Sequence, residues 1–239
     1  MDTSSGPLAE LGILGRQHVA VTELLDHHEV YTFDGLLTLL WHHSPQPTDA
    51  AVLYCGGAMG GLLGPADGLY HDLATMFAVN GAAAGVRVGY RVPNDLERCV
   101  FDTLAAAQLA SQQGAVRFVV VGHSFGGAVA VQAGVALGEQ CAGVVTLSTQ
   151  SAGCEPGETL AEHDTPVLLL HGDHDQILPF LASQMVQMIT GGELVVLAGA
   201  DHLLTSAATE LRDRLGSWIP ARFGTGKPAT SIALGRSGS

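Results

Sequence analysis

Four short stretches carry the side chains that could do chemistry. They are "GHSFGG" at 122–127, "HGDHDQILP" at 171–179, "ADHLL" at 200–204 and the glycine-rich "CGGAMGG" at 55–61. The first is a G-x-S-x-G pattern. A serine hydroxyl is a poor nucleophile until a base takes its proton, and the base needs an acid to fix its tautomer and offset its charge. Ser124 is therefore a candidate nucleophile whose partners must be sought elsewhere in the chain. The plainer reading makes Ser124 a helix cap in a glycine-rich turn. A phosphate-binding loop is excluded, because no Gly-Lys-Ser/Thr follows the glycines.

The chain has eleven histidines. His202 leads them, because it lies just past the last apolar run and at the start of the last helical pattern. The pairs His27/His28 and His42/His43 lie in or near early strands and read as surface or half-buried residues. His123, next to Ser124, reads as packing. For the acid, Asp175 ranks first. Asp173 comes second, since its place early in the turn suits a brace. Asp201 comes third, because neighbours in sequence seldom face each other. His171, Asp173, His174, Asp175, Asp201 and His202 can also be drawn as one ligand set. They lack an H-E-x-x-H pair or any recognised ligand spacing, so no metal is expected.

These side chains need elements that bring them together. Apolar runs at 50–54, 86–90, 116–121, 142–147, 166–170 and 193–197 are short, rich in β-branched residues and without strict alternation, as strands buried on both faces are. Earlier runs at 18–24 and 36–41 alternate in part and suggest an antiparallel start. Helical patterns occupy 66–80, 93–113, 180–190 and 203–218. This alternation predicts a mostly parallel sheet with helices on both faces, with chemistry at the carboxyl ends of its strands. Ser124, Asp175 and His202 each follow one of these runs. The "CGGAMGG" loop does too, and its amides could hold a developing negative oxygen together with that of Phe125. Gly57 is the first choice for the second donor and Ala58 the alternative.

Composition narrows the function classes. The 239 residues, 47% of them hydrophobic and 14% charged, allow one large core. The net charge of −13 would repel a phosphate backbone, which excludes nucleic acid as a partner. No apolar run is long enough to span a membrane. The N-terminus does not read as a secretion signal, and the four cysteines form no CxxC pair, so a reducing, cytoplasmic setting is expected. Residues 1–16 read as a loose segment, 17–220 as a single domain and 221–239 as a flexible tail.

Taken together, the four stretches resemble the α/β-hydrolase superfamily over about residues 18–219. The segment "GPADGLYHDLA…VGYRVPNDLERCVFD" is similar to small bacterial hydrolases of the dienelactone hydrolase and carboxylesterase groups. The resemblance implies an eight-stranded, mostly parallel sheet and the chain order Ser124, Asp175, His202 for a catalytic triad. It implies Phe125 and Gly57 as oxyanion donors. Cys55-Gly56 stands where the family usually has His-Gly, and Ser124 stands where dienelactone hydrolases proper have cysteine. Only residues 148–165 separate the strands where a cap domain would sit, so an open site is expected. Met59, Leu62, Gln150, Ile177 and Leu203 are the expected pocket residues. The activity so implied is hydrolysis of carboxylic esters, with thioesters or lactones also within the chemistry. It needs no cofactor and acts on a small acyl substrate, in a monomer or homodimer. Acyl transfer, perhydrolysis, peptide cleavage or a non-catalytic ligand receptor are the alternatives on the same residues.

Overall fold

The computed structural model describes residues 6–224. A short helix α1 (Pro7–Glu10) precedes three strands, β1 (Ile13–Thr22), β2 (Leu25–Thr32) and β3 (Gly35–His42). From there strands and helices alternate. Strand β4 (Ala50–Cys55) leads to α2 (Pro65–Val79), β5 (Ala84–Gly89) to α3 (Leu96–Gln112), and β6 (Arg117–His123) to α4 (Phe125–Leu137). Strand β7 (Cys141–Leu147) is followed by a short α5 (Glu158–Glu162), β8 (Val167–Gly172) by α6 (Leu181–Thr190), and β9 (Glu193–Leu197) by α7 (Ala208–Arg222).

All nine strands join one sheet, in the order β1-β2-β3-β5-β4-β6-β7-β8-β9. The first three pair antiparallel, and β3 is also antiparallel to β5. The six strands from β5 to β9 are parallel. Successive residues of the central strands face opposite layers. Leu53, Phe118, Val120 and Val144 pack with the alanine-rich faces of α3 and α4. Val52, Val119, Val121 and Leu168 pack with Leu69, Leu73 and Phe77 of α2 and with Leu211 and Leu215 of α7. Two dry layers explain why these runs show no polar alternation.

The sheet has nine strands where eight were expected. The additional one is β2, "LDHHEVYT", and β1 begins at Ile13 rather than near residue 18. Residues 7–16, expected to be loose, hold α1 and the start of β1. Leu8 and Leu11 are buried there, and the Leu8 amide donates to Gln108 Oε1 at 2.8 Å. At the other end α7 runs through Arg222, and residues 225–239 of the expected tail lie outside the described residues.

The topology also locates a crevice. From β4 the chain crosses to β5 on one side, and from β5 it returns to β6 on the other side of β4. The loops leaving the carboxyl ends of β4 and β6 therefore diverge, which is where ligands bind in open parallel sheets.

Candidate active site

Ser124 sits at that crevice, between β6 and α4. Its backbone has φ 57° and ψ −122°, a conformation costly for a residue with a side chain. Its amide donates to the Leu147 carbonyl at 2.9 Å and its carbonyl accepts from the Gly127 amide at 3.0 Å, so the strain is held from both sides. Two glycines make the turn possible. A Cβ on Gly122 would lie 1.8 Å from the Gly126 carbonyl oxygen, and one on Gly126 would lie 2.4 Å from the carbonyl oxygens of Cys55 and Gly56. The elbow thus packs backbone against backbone on the loop after β4.

The candidate acid, Asp175, follows β8. Its side chain is fully buried and all its acceptor capacity is used. Oδ1 accepts the amides of Ile177 at 2.8 Å and Leu178 at 2.9 Å. Oδ2 lies 2.7 Å from His202 Nδ1 and 3.2 Å from His171 Nε2. Burial alone would raise the carboxyl's pKa, but the His202 hydrogen bond and the two amides outweigh it and hold it below the ordinary value. A carboxylate facing Nδ1 fixes the proton there and leaves His202 Nε2 as the free base. His202 lines one cavity of about 440 Å³ together with Ser124 and the Gly56–Pro65 loop. Among the described residues no hydrogen bond joins the Ser124 hydroxyl to His202. Such bonds are often long in unliganded sites and tighten when substrate binds.

The rival acids have other work. Asp173 Oδ1 accepts the Gly199 amide at 2.6 Å and so ties the turn after β8 to the one after β9. Asp201 Oδ1 accepts the amides of Leu203 and Leu204, at 3.1 and 3.0 Å, and closes its own turn. Two further histidines contact the candidate base and acid, contacts absent from the sequence-based expectations. His123 is buried, and burial pushes its pKa down to about 4, so it is neutral. Its Nε2–H donates to the His202 carbonyl at 2.9 Å. His171 is fully buried on β8, and its Nε2–H faces both the Leu178 carbonyl at 3.1 Å and Asp175 Oδ2. Its Nδ1 is 2.6 Å from the Ser183 hydroxyl. The spacing H-x-x-x-D was the available signal, since it puts both side chains at one strand exit.

The candidate oxyanion donors lie on the β4 loop and the first turn of α4. The Phe125 amide is the first of that helix, where N–H groups lack intrahelical partners and carry partial positive charge. Gly57 lies beside Ser124, since a Cβ there would be 3.8 Å from Ser124 Cβ. The loop is pinned to the histidine segment by the Ala66 amide, which donates to the Leu203 carbonyl at 2.8 Å. The Cys55 thiol is buried and its pKa pushed up to about 11 by that burial, so it does not compete as a nucleophile. Met59, Leu62 and Leu203 line the cavity as expected, and Met59 is 95% exposed. Gln150 and Ile177 do not line it. The Gln150 side chain turns to the Ala152 carbonyl, and Ile177 faces solvent. A larger groove of about 780 Å³ between β9 and α7 contains Thr209 and Ser217 but no histidine to activate them.

Known proteins share the fold that carries these residues. A family model described as Phospholipase/Carboxylesterase matches residues 98–194, a span that holds Ser124 and Asp175 and ends before His202. None of the curated proteins matches the sequence significantly. Among solved structures, Est1E from Butyrivibrio proteoclasticus superposes with a TM-score of 0.69 at 13% identity, over 83% of this chain and 99% of that one. A dienelactone hydrolase from Anabaena variabilis gives 0.66 at 16% identity, over 85% and 97%. An alpha-beta serine hydrolase homologue from Coxiella burnetii gives 0.65 at 18% identity, over 83% and 98%. The chain is thus an α/β-hydrolase-fold protein, and no cap domain is present among the described residues. No helix among those residues is long and apolar enough to cross a membrane.

Proposed function

We propose that the protein is a serine hydrolase that cleaves carboxylic esters through an acyl-enzyme on Ser124. The observation that carries this reading is the 2.7 Å contact of His202 Nδ1 with buried Asp175, with His202 and Ser124 lining one cavity. Ser124 Oγ attacks the ester carbonyl while His202 Nε2 takes its proton. The amides of Phe125 and Gly57 receive the negative charge on the carbonyl oxygen, an interaction worth about 2.7–4 kcal/mol of barrier per donor. The tetrahedral species collapses, the alcohol leaves with the proton from His202, and water then releases the acid by the same route.

The cavity supports a reading of the substrate class. About 440 Å³ is near the lower end for small-molecule sites, which span about 300–1,000 Å³. With no cap domain among the described residues and with Met59, Leu62 and Leu203 as an apolar rim, the site suits small or blunt acyl groups. Est1E, of the same fold, has been solved with ferulic acid bound, a small carboxylic acid. Thioesters and lactones present the same electrophilic carbon and fall within the reading. Short p-nitrophenyl esters test it. Ser124→Ala should abolish their hydrolysis, and EDTA should leave the parent rate unchanged. A Ser124→Ala protein that works at the parent rate overturns the proposal.

A further inference from the structure

Away from the active site, the antiparallel edge of the sheet gathers a second set of titratable groups. β1 and β2 pair so that His18 stands directly opposite His28. The two imidazoles stack with centroids 4.6 Å apart. Asp26 lies two residues before His28 and therefore on the same face of β2. Its Oδ2 is 2.7 Å from His18 Nε2 and 2.6 Å from His43 Nε2. His28 Nε2 is 4.0 Å from the same oxygen. It is buried and has no hydrogen-bond partner. A buried polar atom left without a partner is costly and calls for an explanation.

We propose that His18, Asp26 and His28 form a binding site for a divalent transition-metal ion, with zinc the best-matched ion. Their donor atoms all lie within 4.8 Å of one another. Two imidazole nitrogens and one carboxylate oxygen are a donor set that zinc favours. Bonds of about 2.0–2.1 Å in a tetrahedron set donor atoms ~3.3 Å apart. The observed separations of 2.7 and 4.0 Å from Asp26 Oδ2 bracket that value, so small side-chain rotations complete the site. The ion supplies what a hydrogen-bond network alone does not, a partner for His28 Nε2. His43 acts one step out, donating to the Asp26 carboxylate and fixing its orientation, as outer partners of metal ligands do. His18 is 55% exposed, so the fourth position opens to water.

The ion has a structural task. β1 is an edge strand with no buried residue. Its hold on the sheet rests on backbone pairing with β2 and little apolar burial. A metal bridging His18 to Asp26 and His28 clasps the two strands. His27 and Glu29 point to the opposite face of β2 and pair with each other at 3.6 Å, which makes His27 an internal control.

Isothermal titration of the full chain with zinc chloride, after removal of metal by EDTA and dialysis, tests the site, with thermal melting alongside. The expected result is one saturable site per chain and a melting temperature that rises with zinc. His18→Gln, at an exposed position that tolerates the change, and Asp26→Asn should each weaken binding at least tenfold. His27→Gln should bind within twofold of the parent. Absence of saturable binding, or parental affinity in both His18→Gln and Asp26→Asn, overturns the proposal.

Discussion

Asp175 shows how much a single carboxylate is asked to do. Its two oxygens meet four donors, two amides on one side and two imidazoles on the other. An asparagine cannot satisfy this set. Its NH₂ would face either two backbone N–H groups or the histidine pair. Turned to the histidines, it forces His202 to accept at Nδ1 and puts the base in the wrong tautomer. Asp175→Asn should therefore cut turnover of a p-nitrophenyl ester by about 10⁴-fold while the protein stays folded. Asp173 has one backbone partner and lies outside the cavity. Asp173→Asn should lower unfolding free energy by about 1 kcal/mol and change turnover by less than tenfold. Equal losses of turnover in the two variants, measured side by side, would contradict the division of roles. The different placement of the two aspartates was legible in the sequence, because Asp175 lies deeper in a loop that follows a strand. The support from His171 was not, because a histidine at the end of an apolar run reads equally well as a ligand or a packing residue.

At the scale of elements, the elbow depends on the absence of side chains. Gly122 is the sharpest case, since its Cβ would overlap the Gly126 carbonyl at 1.8 Å. Relief requires α4 to move away from β6, which separates Ser124 from the β4 loop. Gly122→Ala should accumulate little folded protein, and any soluble fraction should lack ester hydrolysis. A folded, active Gly122→Ala enzyme would mean that the elbow tolerates a displacement that this packing forbids. Strands β4 to β9 were legible because each carries a short apolar run, broken in β5 by Arg87, and helices α2, α3 and α6 because a glycine stop follows each. The five-residue α5 was not, being too short to show a period. Strand β2 was not. "LDHHEVYT" has no apolar period, lies next to the edge strand and is held by pairing on both sides. Its paired histidines read as surface or half-buried residues in the sequence. In the sheet Asp26 and His28 face His18 of β1.

The whole molecule should be acid-sensitive in a defined window. His42 and His123 are buried, and burial pushes them down to about 3 and about 4, His42 further beside Arg87. Both remain neutral in the folded chain where the unfolded chain binds protons, from about pH 6.5 downwards. Stability therefore falls as pH drops through that window, by on the order of 3 kcal/mol for His123 alone once pH 4 is reached. Asp175, held below its ordinary value, contributes stability above about pH 3.9 and loses it only at lower pH. Urea midpoints taken from pH 7 to pH 4 should decline steadily, and a flat profile would contradict the burial of these imidazoles in their neutral form. The crevice belongs to this scale too. It arises from the crossing of the chain about β4, which no single stretch of sequence contains, yet the strand–helix alternation predicted that the site would lie at the carboxyl edge.

Ser124 as the nucleophile of an acyl-transfer site, activated by His202, carries the proposed chemistry. Covalent labelling tests it most directly. A fluorophosphonate should modify the native chain at one residue, and peptide mapping by mass spectrometry should place the adduct on Ser124. His202→Ala should slow the labelling by orders of magnitude, because the base is then missing. An adduct on another serine, or labelling of the Ser124→Ala protein at the parent rate, would contradict the account.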